Sequence, residues 1–81
     1  MTESLQLFCK TLSGRTIVLD VDSDTSIEML KKQVEDKEGI PTSSQHLIWS
    51  AKVLYDTMNL SDYKIPNGST IHLTLKLLGG N

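Results

Sequence analysis

The chain has little cysteine and few aromatic residues. Its one cysteine, Cys9, excludes an internal disulfide and any zinc site built from several thiolates, so a reducing compartment, the cytoplasm or the nucleus, is expected. Aromatic residues make up 5% of the sequence, so the core has to be built mainly from leucine, isoleucine and valine. At 81 residues, the length suffices for one small domain with a single core.

Long apolar runs and an excess of positive charge are also absent. The longest uninterrupted apolar runs have three residues, as in Leu47-Ile48-Trp49, so neither a membrane span nor a secretion signal is expected. Ten acidic residues outnumber eight scattered basic ones, which argues against binding to nucleic acid. We therefore expect a monomeric domain without membrane or nucleic-acid partners.

The first third of the chain has the pattern of a β-hairpin. Apolar and polar residues alternate over LQLFCKT, from Leu5, and again over RTIVLDV, from Arg15, as in strands with one covered face. Gly14 lies between the two segments, where a positive φ makes the tightest connection. The sequence therefore predicts two antiparallel strands, the first starting at Leu5.

One segment has the spacing of an amphipathic helix. Ser26 is a suitable N-cap, Gly39 stands where a left-handed C-cap would lie, and Pro41 prevents continuation. The segment between these signals predicts a helix from Ile27 to Glu38, and no other segment of the chain predicts one. Its apolar stripe consists of Ile27, Leu30 and Val34.

Three short segments in the second half predict further strands: HLIW, the pair Val53-Leu54, and STIHLTLKL. The last of these has to pair inside the sheet. A hairpin followed by a helix and then by more strands is typical of an α+β fold in which the helix packs across one face of the sheet.

Several segments together resemble ubiquitin: FCKTLSGRTI, DKEGIP, QHLIW, LSDYKI, STIHL and a final Leu-Gly-Gly. The resemblance is free of gaps from Leu5 to Gly80. It implies the β-grasp fold, in which a mixed five-stranded sheet holds one helix. It also divides the chain into an N-terminal extension (1–4), a ubiquitin-like domain (5–76) and a flexible tail with a diglycine (77–81).

The resemblance gives the tail a chemical role. It implies that Gly79 and Gly80 form the conjugation end, and that a processing protease cuts between Gly80 and Asn81. Gly80 would then be joined to lysines of target proteins by isopeptide bonds. The implied partners are activating, conjugating and ligating enzymes, the protease and the targets; the activating enzyme uses ATP and magnesium, whereas this chain needs no cofactor.

The resemblance also implies a hydrophobic binding patch for ubiquitin-binding domains or the proteasome. On the open face of the predicted sheet, strand phase places Phe8, His46, Ile48, His72 and Thr74. Thr74 replaces a valine of the family, and Ala51, in the adjoining turn, replaces a glycine, so strain follows if that turn needs a positive φ. The resulting patch comprises Leu12, Ile48, His72, Thr74 and Ala51.

Four lysines align with the chain-linking lysines of the family: Lys52, Lys10, Lys31 and Lys37. Lys52 stands where chains that target proteins to the proteasome are joined. Lys31 has a structural alternative that we prefer, a partly buried ion pair with Asp56.

Enzyme and metal chemistry are disfavoured. Cys9 alternates with inward-facing residues, whereas His72 faces outward, so a thiol and an imidazole base would lie on opposite sides of the sheet. Two histidines, His46 and His72, without a third ligand make a poor metal site. We expect neither an enzyme nor a metal protein.

Two functional classes remain. The first is a covalent modifier matured to Gly80, which the glycine pair favours. The second is a non-conjugated ubiquitin-like interaction domain of a longer protein that docks to the proteasome or to ubiquitin receptors. Leu78, which replaces an arginine of the family, favours the second class, and so do Thr74, Asn81 and the N-terminal extension.

Overall fold

The fold is an α+β domain, described here for residues 3–76 of a computed structural model. Its elements are β1 (Ser4–Lys10), β2 (Thr16–Asp22), α1 (Ile27–Glu38), a 3₁₀ turn (Thr42–Ser44), β3 (Gln45–Trp49), β4 (Lys52–Val53), α2 (Leu60–Tyr63) and β5 (Thr70–Leu75). The strands form one five-stranded sheet in the order β2-β1-β5-β3-β4. The predicted tail, 77–81, lies outside the described residues.

The predicted hairpin is confirmed, with one shift at its start. Gly14 has a φ of 87°, and the N–H of Thr11 donates to the Arg15 carbonyl at 2.8 Å. β1 begins at Ser4, where Ser4 pairs with Asp22, one residue before the predicted start at Leu5. The alternation of apolar residues did not reveal Ser4, because Ser4 is exposed and polar.

β5 lies inside the sheet, as predicted. It runs parallel to β1, with Cys9 opposite Ile71, and antiparallel to β3, with Leu47 opposite Leu73. The parallel pair next to antiparallel pairs makes the sheet mixed. Because β5 pairs on both edges, it joins the N-terminal hairpin to the second half of the chain.

Helix α1 has the predicted bounds, and both predicted caps are present. The Ser26 hydroxyl accepts a hydrogen bond from the N–H of Met29 at 3.1 Å, which satisfies a donor of the first turn. Gly39 has a φ of 76° and donates its N–H to the Glu35 carbonyl at 2.7 Å. The apolar stripe is fully buried against the sheet: Ile27, Leu30 and Val34 are each 0% exposed.

The core is aliphatic, as the scarcity of aromatic residues predicted. Cys9 is buried within it, and the side chain of Trp49 packs against its edge. No helix among residues 3–76 is long and apolar enough to cross a membrane. The other members of the core cluster are Leu7, Ile17, Leu19, Ile27, Leu30, Val34, Leu47, Leu54, Leu60, Ile65, Ile71 and Leu73.

The one main helix of the predicted fold is confirmed as α1, but sequence periodicity missed the short helix α2. Four residues, Leu60–Tyr63, are too few to show an apolar stripe. The signal for this helix is the pair Asn59 and Asp62 at its start: the Asn59 N–H donates to the Asp62 carboxylate at 2.8 Å, and the Asp62 N–H donates to the backbone carbonyl of Asn59 at 3.0 Å. β4 also begins earlier than predicted, at Lys52, and Leu54 is buried just beyond it.

The preferred interpretation of Lys31 is confirmed. Its side chain is 4% exposed, and its ammonium group lies 2.5 Å from a carboxylate oxygen of Asp56, whose side chain is 52% exposed. The pair joins α1 to the loop between β4 and α2. Nearby, the Gln45 amide donates to the carbonyls of Lys31 and Ile40 at 3.0 and 2.9 Å, so β3 holds both α1 and the segment after it.

Removing the partner of the buried ammonium should cost stability. We expect Asp56→Asn to lower the free energy of unfolding by about 1–3 kcal/mol, because a buried charge without its partner is strongly unfavourable, whereas the exposure of Asp56 limits the loss. Urea denaturation measures this. Asp36→Asn, on the exposed side of α1, is the matched control and should change stability by less than about 0.5 kcal/mol. Equal effects of the two substitutions would contradict the role of the pair.

Candidate functional site

The outer face of the sheet, opposite α1, carries a row of side chains that crosses four strands. In register, Lys10 of β1 lies opposite His72 of β5, His72 opposite Ile48 of β3, and Ile48 opposite Val53 of β4. In the antiparallel pairs of this row, residues directly opposite on one face have Cβ atoms about 4.5–5.5 Å apart. The row is therefore a continuous surface with apolar residues at one end and cationic or imidazole groups at the other.

Further residues of the predicted patch lie beside this row. Thr74 follows His72 on the same face of β5 and pairs with His46 of β3, and both are half-buried. Leu12 is 61% exposed in the loop after β1. The structure thus brings Ile48, His72 and Thr74 together on two adjacent strands, as predicted, whereas Leu12 lies in the hairpin loop between β1 and β2.

Two exposed apolar residues of the outer face were missed by the sequence analysis. Val53 is 38% exposed and lies opposite Ile48; Val18 is 40% exposed and lies opposite Phe8. Strand phase would have found Val18, because it alternates with the buried Ile17 and Leu19. Val53 could be found only once the length of the β3–β4 turn was known.

The turn between β3 and β4 contains two non-glycine residues with positive φ. Ser50 has a φ of 54° and Ala51 a φ of 64°, between the paired residues Trp49 and Lys52. Positive φ at both central positions is the requirement of a two-residue type I′ hairpin turn. The expected strain at Ala51 is therefore present, since a side chain in the left-handed region costs roughly 1–2 kcal/mol.

This strain should be relieved by glycine. We expect Ala51→Gly to raise the free energy of unfolding by about 0.5–1 kcal/mol, because glycine adopts a positive φ without strain. The gain is smaller than the strain itself, because glycine also has more backbone entropy in the unfolded chain. Thermal or urea unfolding measures the change. Ala51→Val should destabilise the protein, because a β-branched residue is less compatible with this φ. A glycine variant of lower stability would contradict the assignment of strain to this turn.

Three of the four candidate acceptor lysines are exposed, and one is not. Lys10, Lys37 and Lys52 present their side chains to solvent, which is the condition for nucleophilic attack by an amine. Lys31 is 3% exposed, and its ammonium group is paired with the carboxylate of Asp56. The structure therefore supports a structural role for Lys31, whereas acceptor roles for the other three stay predictions.

Cys9 lies on the opposite side of the sheet from His72, as predicted. It is 0% exposed, and burial, followed by the charge of Glu38, raises the pKa of its thiol from 9.0 to about 11. A thiol with a raised pKa and no access to solvent is a poor nucleophile. Within residues 3–76, no group of three or more potential metal-ligating side chains lies together.

The raised pKa predicts slow alkylation of Cys9. With a thiol pKa of 9.0 unfolded and about 11 folded, the thiolate fraction at pH 8 is about 100-fold lower in the folded protein. We expect iodoacetamide to react with the native chain at least about 100-fold more slowly than with the chain in urea. Similar rates in the two states would contradict the burial of this thiol.

The same shift predicts a dependence of stability on pH. Because the folded-state pKa lies above the unfolded one, the contribution of Cys9 is fully present below pH 9.0 and is lost as the pH rises toward about 11. Cys9→Ala should show a smaller loss of stability than the parent chain over this interval, measured by urea denaturation at each pH. Parallel losses in the two proteins would contradict this contribution.

Comparison with known proteins identifies the family. The sequence model described as the Ubiquitin family matches residues 7–78, which include the row Lys10, His72, Ile48 and Val53. The chain belongs to the ubiquitin family. The β-grasp fold and the resemblance drawn from the sequence motifs are thereby confirmed.

Relatives from the ubiquitin family cover most of the chain. Ubiquitin-like protein 1 of Schizosaccharomyces pombe is 44% identical over 72 residues, 89% of this chain and 92% of its own length. Ubiquitin-like protein NEDD8 of Dictyostelium discoideum is 46% identical over 71 residues, 88% of this chain and 92% of its own length. AN1-type zinc finger protein 4 of Mus musculus is 37% identical over 78 residues, 96% of this chain but 11% of its own length.

These similarities support the coarse functional class. The chain is a ubiquitin-like modifier, and a protein of this kind is a tag that enzymes attach rather than an enzyme itself. The prediction that the chain is not an enzyme is therefore confirmed by its family. Enzymes of conjugation and target proteins are its general partners.

Proposed function

We propose that this chain is matured to Gly80 and then joined through the Gly80 carboxyl group to lysine amines of target proteins. The observation that carries the proposal is the Gly79-Gly80 pair, which follows the last strand in a chain similar over 92% of the length of two ubiquitin-like proteins. Gly79 and Gly80 lie outside the described residues, so the proposal rests on their sequence position and chemistry.

The first step is proteolysis. While Asn81 is attached, the terminal carboxylate belongs to Asn81, and the carbonyl of Gly80 is part of an internal amide. A processing protease adds water across the Gly80–Asn81 amide bond, which releases asparagine and leaves a carboxylate on Gly80.

Activation and transfer follow from that carboxylate. It attacks the α-phosphorus of ATP and displaces pyrophosphate; a cysteine thiol of the activating enzyme then attacks the acyl adenylate, and AMP leaves. Finally a lysine amine of the target displaces the thiol and forms an isopeptide bond. Glycine suits both terminal positions because a side chain would obstruct the reacting carbonyl in a narrow channel.

The fold supports this chemistry by fixing where the terminal segment begins. The N–H of Lys76 donates to the Ser44 carbonyl at 2.8 Å, so the residue that follows β5 is still held to the domain. Residues 77–81 follow directly. The Gly80 carbonyl is therefore a fixed number of residues from the folded surface that the enzymes contact.

The outer face supplies a reading surface for the attached modifier. Ile48 and His72 lie directly opposite one another, and Thr74 lies on the same face of β5 as His72; Leu12 is exposed in the loop after β1. Thr74 presents a hydroxyl where a valine would present a methyl group, so readers that depend on apolar contact here should bind less tightly. We propose weak, reversible docking of ubiquitin-binding domains or the proteasome to this face, in the cytoplasm and nucleus.

One observation favours a second candidate function. AN1-type zinc finger protein 4 matches 96% of this chain with only 11% of its own length, so domains of this type also occur inside much longer proteins. In that case the domain would dock to ubiquitin receptors or the proteasome without being cleaved or conjugated.

Thioester formation separates the two candidates. The experiment incubates activating enzymes of the family with ATP, magnesium and three chains: the 81-residue chain, one ending at Gly80 and one ending at Gly79. We expect only the chain ending at Gly80 to form a thiol-sensitive adduct that adds about 9.0 kDa to the enzyme, visible on a non-reducing gel.

The chain ending at Gly79 is the matched control, because it differs by a single glycine. Adding a processing protease to the 81-residue chain should restore the adduct. If no chain forms an adduct with any activating enzyme, the interaction-domain candidate replaces the modifier.

A further inference from the structure

The turn between α2 and β5 contains the sequence Asn67-Gly68, and Asn67 is the only asparagine of the chain that a glycine follows. Both residues lie at the surface. Gly68 has a φ of 83°, and a Cβ added to it would meet no heavy atom within 4 Å apart from its chain neighbours. The peptide bond between the two residues is therefore sterically open, because no side chain on the second residue shields its nitrogen.

An open Asn-Gly bond can react with itself, which makes asparagine a thermolabile residue. The Gly68 nitrogen loses its proton to hydroxide and attacks the side-chain carbonyl carbon of Asn67. The bond from that carbon to the side-chain nitrogen breaks, and the nitrogen takes a proton from water and leaves as ammonia. Water then opens the resulting succinimide ring at either carbonyl, which gives aspartate or isoaspartate; in isoaspartate the main chain passes through the side-chain carbon.

In the folded chain, the backbone of Gln6 in β1 holds both reacting groups. The Gln6 N–H donates to the side-chain oxygen of Asn67 at 2.7 Å, and the Gln6 carbonyl accepts the N–H of Gly68 at 2.8 Å. We call these two hydrogen bonds the Gln6 clamp. The Phe8 N–H donates to the Ser69 carbonyl at 2.9 Å, so the clamp continues the attachment of β1 to the segment that leads into β5.

The Gln6 clamp opposes the reaction. The Gly68 nitrogen attacks only after it has lost its proton, and in the clamp that proton points to a neutral carbonyl, which cannot remove it and which keeps hydroxide away. The side chain of Asn67 is fixed at the same time. The reaction therefore has to wait until the turn separates from β1. Such local openings cost less free energy than global unfolding where the hydrogen bonds are exposed to solvent, as the bond between Gln6 and Asn67 is.

We propose that Asn67 is a site of spontaneous modification, converted to aspartate and isoaspartate at a rate that opening of the Gln6 clamp determines. The two products differ in their effect on the clamp. Aspartate keeps an acceptor for the Gln6 N–H, and its charge strengthens the bond. Isoaspartate adds one carbon to the main chain before Gly68, so the two bonds to Gln6 no longer form together and the turn is released from β1. The modification does not depend on conjugation through Gly80.

Mass spectrometry of tryptic peptides tests the site and its protection. Deamidation of Asn67 is followed at neutral pH in the folded 81-residue chain, in the same chain unfolded in urea, and in a capped peptide with the sequence of residues 64–70. We expect the folded chain to react at least about tenfold more slowly than the other two samples. Asn59, which a leucine follows, is the internal reference and should react more slowly than Asn67 in urea.

Equal rates in the folded chain and in the peptide would overturn the proposal. Deamidation that is as fast at Asn59 as at Asn67 in the unfolded chain would overturn it too. An isoaspartate-specific methyltransferase identifies the product with the altered main chain.

Hydrogen exchange tests whether opening of the clamp limits the reaction. At urea concentrations below the unfolding transition, exchange of the Gly68 amide and deamidation of Asn67 should keep a constant ratio. The Ser69 hydroxyl donates to the Pro66 carbonyl at 2.7 Å and closes the turn, so Ser69→Ala should speed both processes at least about threefold. Each deamidation rate is divided by that of the peptide with the same substitution. A ratio that changes along the urea series would overturn the proposal.

Substitutions of Asn67 test the clamp itself. Asn67→Ala removes the acceptor and should speed exchange of the Gly68 amide at least about threefold, whereas Asn67→Asp keeps the acceptor and should stay within about twofold of the parent chain. Ser43→Ala, at an exposed serine of the 3₁₀ turn, is the control and should change the exchange less than about twofold. Dispersed amide spectra check that each variant is folded. Equal exchange in the alanine and aspartate variants would overturn the role of Asn67 in the clamp.

Discussion

The double pairing of β5 is the constraint on which the rest of the structure depends. β5 is hydrogen-bonded to β1 on one edge and to β3 on the other. The last strand of the chain therefore joins the N-terminal hairpin to the pair of β3 and β4. A parallel neighbour of β1 has to be reached through a long connection, and α1, β3 and β4 form that connection. The same pairing buries Ile71 and Leu73 and turns His72 and Thr74 outward. Core and recognition face are thus two sides of one strand.

Much of this architecture could be predicted from the sequence, because its signals are local. The apolar stripe of α1 and its caps, Ser26 and Gly39, determined both helix ends. Alternation gave β1, β2 and β5, and strand phase gave the outward side chains Phe8, Ile48 and His72. Helix α2 was not predicted because four residues show no period. The positive φ at Ala51 was indicated only by the family resemblance, in which Ala51 replaces a glycine, because Ser50 and Ala51 are not the residues that usually mark such a turn.

The site was predictable only in part, for a different reason. The patch residues Ile48, His72 and Thr74 followed from strand phase together with family resemblance. Val53 did not, because its place opposite Ile48 depends on the length of the turn between β3 and β4. The burial of Lys31 was predictable as an alternative, since a lysine on a helix faces inward only when a carboxylate such as Asp56 can reach it. The sequence therefore predicts which side chains of a strand or helix face outward, whereas tertiary structure determines which of them become neighbours.

The outer patch continues onto β4 through Val53, which is 38% exposed. Thr74 removes apolar surface from the centre of the patch, whereas Val53, directly opposite Ile48, adds apolar surface at its β4 side. Burying one methyl-sized group contributes about 0.8 kcal/mol. The strongest apolar contact with a partner is therefore expected nearer to Val53 of β4 than to Thr74 of β5. A partner that covers Ile48 would therefore extend toward Val53 on β4 to bury apolar surface.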